Sequence, residues 1–315
     1  ETAYGIGDDA AVIATNPKQQ VISTDLFIEN IHFDLIYSPL MHIGYKCISA
    51  SVSDICAMNA IANQVLVSIA LSSKYSLEAV EELYRGIKAS CDKYNLELIG
   101  GDTSSSVTGL MISITVIGYA DEKKIVKRSG AKPGDLLVAS GDLGGAYMGL
   151  QMLEREKQVF LDQKDMQPDL EGKEYIVGRQ LRPEARTDII ELLDEIGIIP
   201  TAMIDISDGL SSEIFHLCDH SKIGMRVYED KLPIDQQTYD TALEFNLAPT
   251  TCAMNGGEDY ELLFTLPQSD YDKVKNSIEL TVIGYCTEPH LGLEMITKSG
   301  NVVVLEAQGW ENFKG

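Results

Sequence analysis

Carboxylates recur in this 315-residue chain beside glycine and serine, in six short clusters. GIGDD stands at 5–9, STD at 23–25, SVSD at 51–54, GGDT at 100–103, DISDG at 205–209 and GGEDY at 256–260. Most are expected at strand–loop junctions, where ligand sites of α/β folds gather. A single such aspartate is usually a turn residue or a helix cap. Several packed together would repel one another in a low dielectric, stay protonated, or take a cation. Oxygen donors without His or Cys clusters suit a hard ion such as Mg²⁺, which is commonly held by a few carboxylates plus substrate phosphates. Glycines beside them would let the backbone approach those phosphates.

The elements that must position these clusters alternate between strand and helix. Residues 21–24 read as a short apolar strand ending at Asp25, and 65–71, 97–99 and 111–118 as further strands. Residues 76–94 carry apolar side chains at helical spacing, with Ser76 as N-cap. Residues 121–135 are charged and broken by Gly and Pro, and mark a domain boundary. A second α/β series follows. It has strands at 136–139, 202–206, 225–228, 260–266 and 281–285, and helices at 141–153, 183–196 and from about Gly209. Residues 154–174 read as a solvated excursion, and 293–305 as a hairpin.

Lys and Arg number 25 against 48 Asp and Glu, a net charge of −23. This argues against nucleic acid, whose binding rests on many Lys/Arg–phosphate contacts. Six cysteines are scattered singly, with neither a disulfide framework nor a zinc spacing, so a reduced cytoplasmic compartment is expected. No apolar run nears the ~18 residues of a membrane span, and no basic-then-apolar leader is seen. The start at Glu1, inside a motif-bearing stretch, suggests a missing N-terminal segment. No P-loop pattern occurs. The glycine-rich GDLGG at 141–145 fits either tight strand–helix packing or phosphate contact. Arg128 fits a phosphate partner or an exposed linker residue. His32 reads as a surface or core residue or a ligand contact, and Trp310 as a core cap or a stacking face. No Ser/His/Asp or Cys/His arrangement supports nucleophilic catalysis.

The ordered set GIGDDAAV, ISTDLFIENIHF, SVSDICAMNA, LIGGDTS, KRSGAKPGD, IDISDGLSSE and NGGEDYELLF resembles the thiamine-monophosphate kinase family, from about Gly5 to Trp310. The resemblance implies a two-domain α/β (α+β) fold of the aminoimidazole ribonucleotide synthetase type. An N-terminal domain over 1–125 would carry a metal/ATP cleft and pair into a homodimer, and a C-terminal domain would span 126–315. It also implies that Asp9, Ser23, Thr24, Asp25, Asp54, Asp102, Asp205 and Asp208 surround several Mg²⁺ ions. Tyr84, Gly101, Asp102, Arg128 and Ser207 would meet ATP, and His32, Glu258 and Trp310 would meet thiamine monophosphate.

The implied reaction is ATP-dependent phosphorylation of thiamine monophosphate to thiamine diphosphate. The acceptor is a phosphate oxygen, already ionised near neutral pH. Direct in-line transfer needs no strong general base, and none is found. Two rivals are an ATP-dependent synthetase forming an acyl- or imidate-phosphate, and a non-catalytic acidic metal binder that would leave GGEDYEL and Arg128 unexplained.

Overall fold

Side chains alternate between more and less buried, a period of two, along residues 20–27 and 111–116 of the first half of the chain, the mark of strands with two unlike faces. The computed structural model describes residues 2–4, 12–13, 17–163 and 168–305. The chain divides into two units, Glu1–Ile125 and Val126–Gly315. In the first, β1 (Thr2–Tyr4) pairs antiparallel with β2 (Val12–Ile13). There follow β3 (Gln19–Ile28), α1 (Leu40–Ala57), β4 (Ile61–Leu71), α2 (Leu77–Lys93), β5 (Glu97–Ser105) and β6 (Met111–Ala120). The four longer strands form one sheet in the order β3-β6-β4-β5, antiparallel except for β4 with β5. Both helices pack together, and α1 lies against β3, β4 and β6. Ile48, Val52, Ile55, Leu83 and Ile87 of the helices are buried, as are Val65, Val67, Ile112 and Ile114 of the sheet.

Three sequence expectations change here. The strand expected at 21–24 runs to Ile28, so Asp25 sits within it, because pairing with β6 satisfies the backbone across the polar Ser-Thr-Asp run. Asp102 likewise lies inside β5, not after a strand. Asp54 lies inside α1, a helix the sequence pattern conceals. Residues 43–57 of α1 are buried on nearly every side, so no polar stripe marks a helical period. The helix at 76–94 matches α2, and Ser76 accepts from the Ala79 N–H at 3.3 Å as its N-cap.

The second unit opens with β7 (Leu136–Ser140), α3 (Gly145–Asp162), α4 (Glu174–Leu181) and α5 (Thr187–Glu195). Then come β8 (Ala202–Ile206), α6 (Leu210–Ser221), β9 (Gly224–Tyr228), α7 (Gln236–Glu244) and α8 (Pro249–Asn255). It closes with β10 (Glu261–Leu266), α9 (Tyr271–Val274), β11 (Leu280–Thr287), β12 (Leu293–Ile296) and β13 (Val302–Val304). Seven strands form a sheet in the order β13-β12-β9-β11-β7-β10-β8, with β12 and β13 the expected hairpin. α6 packs on β8 and β9 over a core that includes Ile204, Leu210, Ile214, Met225 and Leu263. α3, α4, α7 and α8 enclose a second cluster around Met148, Met152, Ile176 and Cys252.

α3 starts four residues later than expected and continues through 154–162, so this stretch is helix where a solvated excursion was expected. Buried Glu156, ion-paired with Arg155, shows that its charges are not all solvated. The helix expected at 183–196 begins at Thr187, because Arg186 leaves helical geometry as its guanidinium reaches buried Glu261. Among the described residues no helix is long and apolar enough to cross a membrane.

Candidate active site

Ser23 and Asp25 stand two apart on β3 and share its helix-facing side. Ser51 and Asp54 stand three apart on α1 and share a face. The pairs meet reciprocally: Ser23 Oγ donates to Asp54 Oδ2, and Ser51 Oγ donates to Asp25 Oδ2 at 2.5 Å. Burial pushes the Asp25 carboxyl up; the Ser51 hydroxyl pulls it down, and the Asp54 charge raises it again. Two half-buried carboxylates thus share a space lined by hydroxyls. This all-oxygen donor set fits a hard divalent cation such as Mg²⁺, whose charge would relieve their repulsion. Among the described residues no three His, Cys, Asp or Glu side chains gather into a metal-holding group. Asp9 lies outside the described residues, as do Asp8 and Trp310.

The other first-unit residues spread from this pair. Thr24 faces away from Asp25 and bonds the Ile114 carbonyl at 3.1 Å and the Thr115 hydroxyl at 2.9 Å. Register places Asp25, Ile114, Val67 and Gly101 in one row across the sheet, and Leu26, Ser113, Ser68 and Asp102 in the next. Row-mates share a face, so Asp102 belongs to the face turned from the helices, three strand spacings (about 14 Å) from β3. Gly101 is required by packing, since a Cβ there would stand 1.8 Å from the Val67 carbonyl oxygen. His32 lies exposed in the turn after β3, where its Nδ1 accepts from the Ile28 N–H at 3.0 Å. The ring proton therefore sits on Nε2, which makes that atom a donor. Tyr84 is half-buried on α2, and burial raises its phenol.

In the second unit, Asp205 is buried on β8, and the loop after it carries Ser207 and exposed Asp208. The Asp208 N–H donates to Glu213 Oε1 at 3.0 Å. Burial pushes the Glu213 carboxyl up to about 8, the charges of Asp205 and Asp208 add to the rise, and the Asp208 N–H and Arg128 oppose it. Arg128 is exposed, and its carbonyl accepts from Ser221 Oγ at 3.3 Å. Ser207 and Glu258 are joined through the backbone, the Glu258 N–H donating to the Ser207 carbonyl at 2.7 Å.

The GDLGG loop meets a carboxylate of its own chain. Asp259 accepts from the N–H groups of Gly144, at 2.7 Å, and Ala146, at 3.3 Å, and so occupies the N-terminal end of α3. Gly144 adopts φ 82°, a left-handed conformation that glycine tolerates. Of the two readings of this loop, the structure supports strand–helix packing over phosphate contact.

Two family models match the chain: AIR synthase related protein, N-terminal domain, over residues 7–120, and the corresponding C-terminal domain over 132–295. The thiamine-monophosphate kinase of Bacillus subtilis (strain 168) is 31% identical over 316 residues, covering 98% of this chain and 93% of the relative. The chain belongs to the thiamine-monophosphate kinase family. The family member from Aquifex aeolicus (strain VF5) is 32% identical, covering 98% of this chain and 92% of that protein. A solved structure of AaThiL complexed with AMPPCP and TMP superposes with a TM-score of 0.80 at 30% identity, over 98% of this chain and 92% of that one. The resemblance read from the motifs is thereby borne out, together with the mixed α/β fold.

Sequence reasoning passed over Ser51, Glu213, Asp259 and Gln180. The first three lie inside the quoted motifs; Ser51 stands three residues before Asp54 and Asp259 adjoins Glu258, signals that could have found them, whereas Glu213, five residues after Asp208, carries no such spacing. Gln180 lies on α4, where no helix was expected.

Proposed function

We propose that this protein transfers the terminal phosphoryl group of ATP to the phosphate of thiamine monophosphate, releasing ADP and thiamine diphosphate. The observation that carries this reading is its likeness, along 98% of its length, to AaThiL complexed with the ATP analogue AMPPCP and TMP. The acceptor oxygen is ionised at neutral pH, since a phosphate monoester's second pKa is about 6. Positioning and charge neutralisation then suffice for in-line attack without a general base.

In this reading Asp9, Ser23, Asp25, Asp54, Asp205 and Asp208 hold Mg²⁺ ions, the reciprocal Ser23–Asp54 and Ser51–Asp25 bonds pre-setting Asp54 and Asp25; Thr24 and Asp102, on the opposite face of the sheet, would serve a different ion from the one at Asp25 and Asp54. When bound, Mg²⁺ supplies neutralisation of phosphate charge. Tyr84, Gly101, Asp102, Arg128 and Ser207 bind ATP, with Arg128 free to pair with a phosphate oxygen through its exposed guanidinium. His32 donates from Nε2 to the substrate, Glu258 offers negative charge to the cationic thiazolium, and Trp310 offers an aromatic face.

The protein works as a homodimer through the first unit's sheet. The face turned from α1 and α2 carries Ile22 at 60% and Leu26 at 48% exposure, an apolar patch of the kind that marks an interface. Six buried thiols suit a reducing cytoplasm. Coupled measurement of ADP and thiamine diphosphate, with ATP, Mg²⁺ and thiamine monophosphate supplied and each omitted in turn, tests the reading. Product is expected only with all three present.

A further inference from the structure

Arg179 and Gln180 are consecutive on α4, and both grip one short segment, residues 258–261. Gln180 Nε2 donates to Glu258 Oε2 at 2.8 Å. Arg179 donates from Nη1 to Glu261 Oε1 at 2.8 Å and from Nη2 to the Asp259 carbonyl at 3.3 Å. The segment is unusual in its backbone: Glu258 and Tyr260 both hold left-handed φ values, 66° and 53°, on either side of buried Asp259. Backbone bonds from Glu258 to Ser207 and from Tyr260 to Ile206 lock it to the end of β8 and the loop that follows.

These bonds fix the Glu258 backbone, but its side chain still has rotatable bonds to settle. Gln180, itself 5% exposed, supplies a buried donor to one carboxylate oxygen. The donor's chemistry matters. Lysine or arginine in its place would bring a positive charge to the carboxylate, whereas an amide directs it and adds no charge of its own. A neutral donor of this kind suits a carboxylate that meets a cationic ligand.

We propose that Gln180 is a positioning residue that aims the Glu258 carboxylate at the cationic thiazolium end of thiamine monophosphate. This rests on the reading of Glu258 as a substrate contact. The test is a double-mutant cycle of Gln180→Met and Glu258→Gln, read as KM for thiamine monophosphate, KM for ATP, calorimetric affinity for thiamine monophosphate and thermal midpoint.

Gln180→Met is expected to raise KM and the dissociation constant for thiamine monophosphate about tenfold, as for one lost hydrogen bond to a charged group. KM for ATP should stay within about twofold. In the Glu258→Gln background the same change should shift both thiamine-monophosphate constants less than about twofold, because the residues act as one unit. Where Gln180→Met fails to fold, the isosteric Gln180→Glu takes its place in the cycle; its carboxylate would repel Glu258 and raise KM further. A tenfold effect that persists in the Glu258→Gln background overturns the proposal. So does an unchanged KM in the Gln180 variant while Glu258→Gln raises it, which leaves the site reading standing. An unchanged KM in Glu258→Gln overturns the site reading itself, and the proposal with it.

Discussion

Ser51 on α1 donates its hydroxyl to the Asp25 carboxylate on β3 at 2.5 Å, and Ser23 returns the bond from β3 to Asp54 on α1. A helix and a strand are thus stitched together by the same groups that would hold a cation. Each hydroxyl satisfies one carboxylate oxygen, but nothing in that exchange removes the burial that raises Asp25, nor the Asp54 charge that adds to it. A metal-holding role and a structural role therefore differ in sign. Asp54→Asn should lower turnover by about 100-fold or more, leave the metal-free thermal midpoint equal or higher, and diminish the rise in midpoint expected of Mg²⁺ binding to the native state. Initial rates and melts with and without Mg²⁺ check this. A metal-free midpoint that drops by several degrees would instead make Asp54 a structural residue.

Gly101 carries a second prediction. Its φ of 157° and the 1.8 Å approach of a would-be Cβ to the Val67 carbonyl oxygen mean that an alanine pushes β5 off β4. Forcing a group into such a packed position costs about 1–3 kcal/mol. Gly101→Ala should therefore show a lower urea midpoint in the absence of nucleotide. Full stability with weakened ATP binding would mean that the glycine serves the nucleotide alone.

Asp259 and Glu213 make stability depend on pH. Burial pushes the Asp259 carboxyl up to about 7, against the pull of Arg179 and of the Gly144 and Ala146 N–H groups. In the unfolded chain it titrates near 4. Between about pH 4 and 7 the native state therefore holds a proton that the unfolded chain releases. Native protons exceed unfolded ones, so stability falls as pH rises through this window. Glu213, pushed up to about 8, acts with the same sign. Urea midpoints measured from pH 4 to 8 should fall with pH, and more gently in Asp259→Asn. An identical slope in the variant contradicts the assignment.

Much of this molecule was legible in its residues, for physical reasons. The β-branched alternation at 111–118 and the capped amphipathic helix after Ser76 carry their periods openly, because each has one face less buried than the other. α1 does not, since its serines are as buried as its isoleucines. With α1 hidden, Asp54 was read at a strand–loop junction and the Ser51–Asp25 bond could not be foreseen. α4 was missed for a related reason. Its eight residues are short for a periodic signal, and Arg179 owes its buried place to Glu261 and Asp259, about eighty residues on. The acids themselves were found by type and spacing, whereas their partners were set by long-range pairing.

The central claim is that the acceptor is a phosphate oxygen of thiamine monophosphate. It is tested most directly by comparing thiamine monophosphate with free thiamine as acceptor, under saturating ATP and Mg²⁺, with thiamine diphosphate and ADP quantified together. The account predicts one ADP per thiamine diphosphate from the monophosphate, and little or no turnover of thiamine, whose hydroxyl is un-ionised and would need a general base to activate it. Equal turnover of the two acceptors, or ADP release from the monophosphate without thiamine diphosphate, would contradict it.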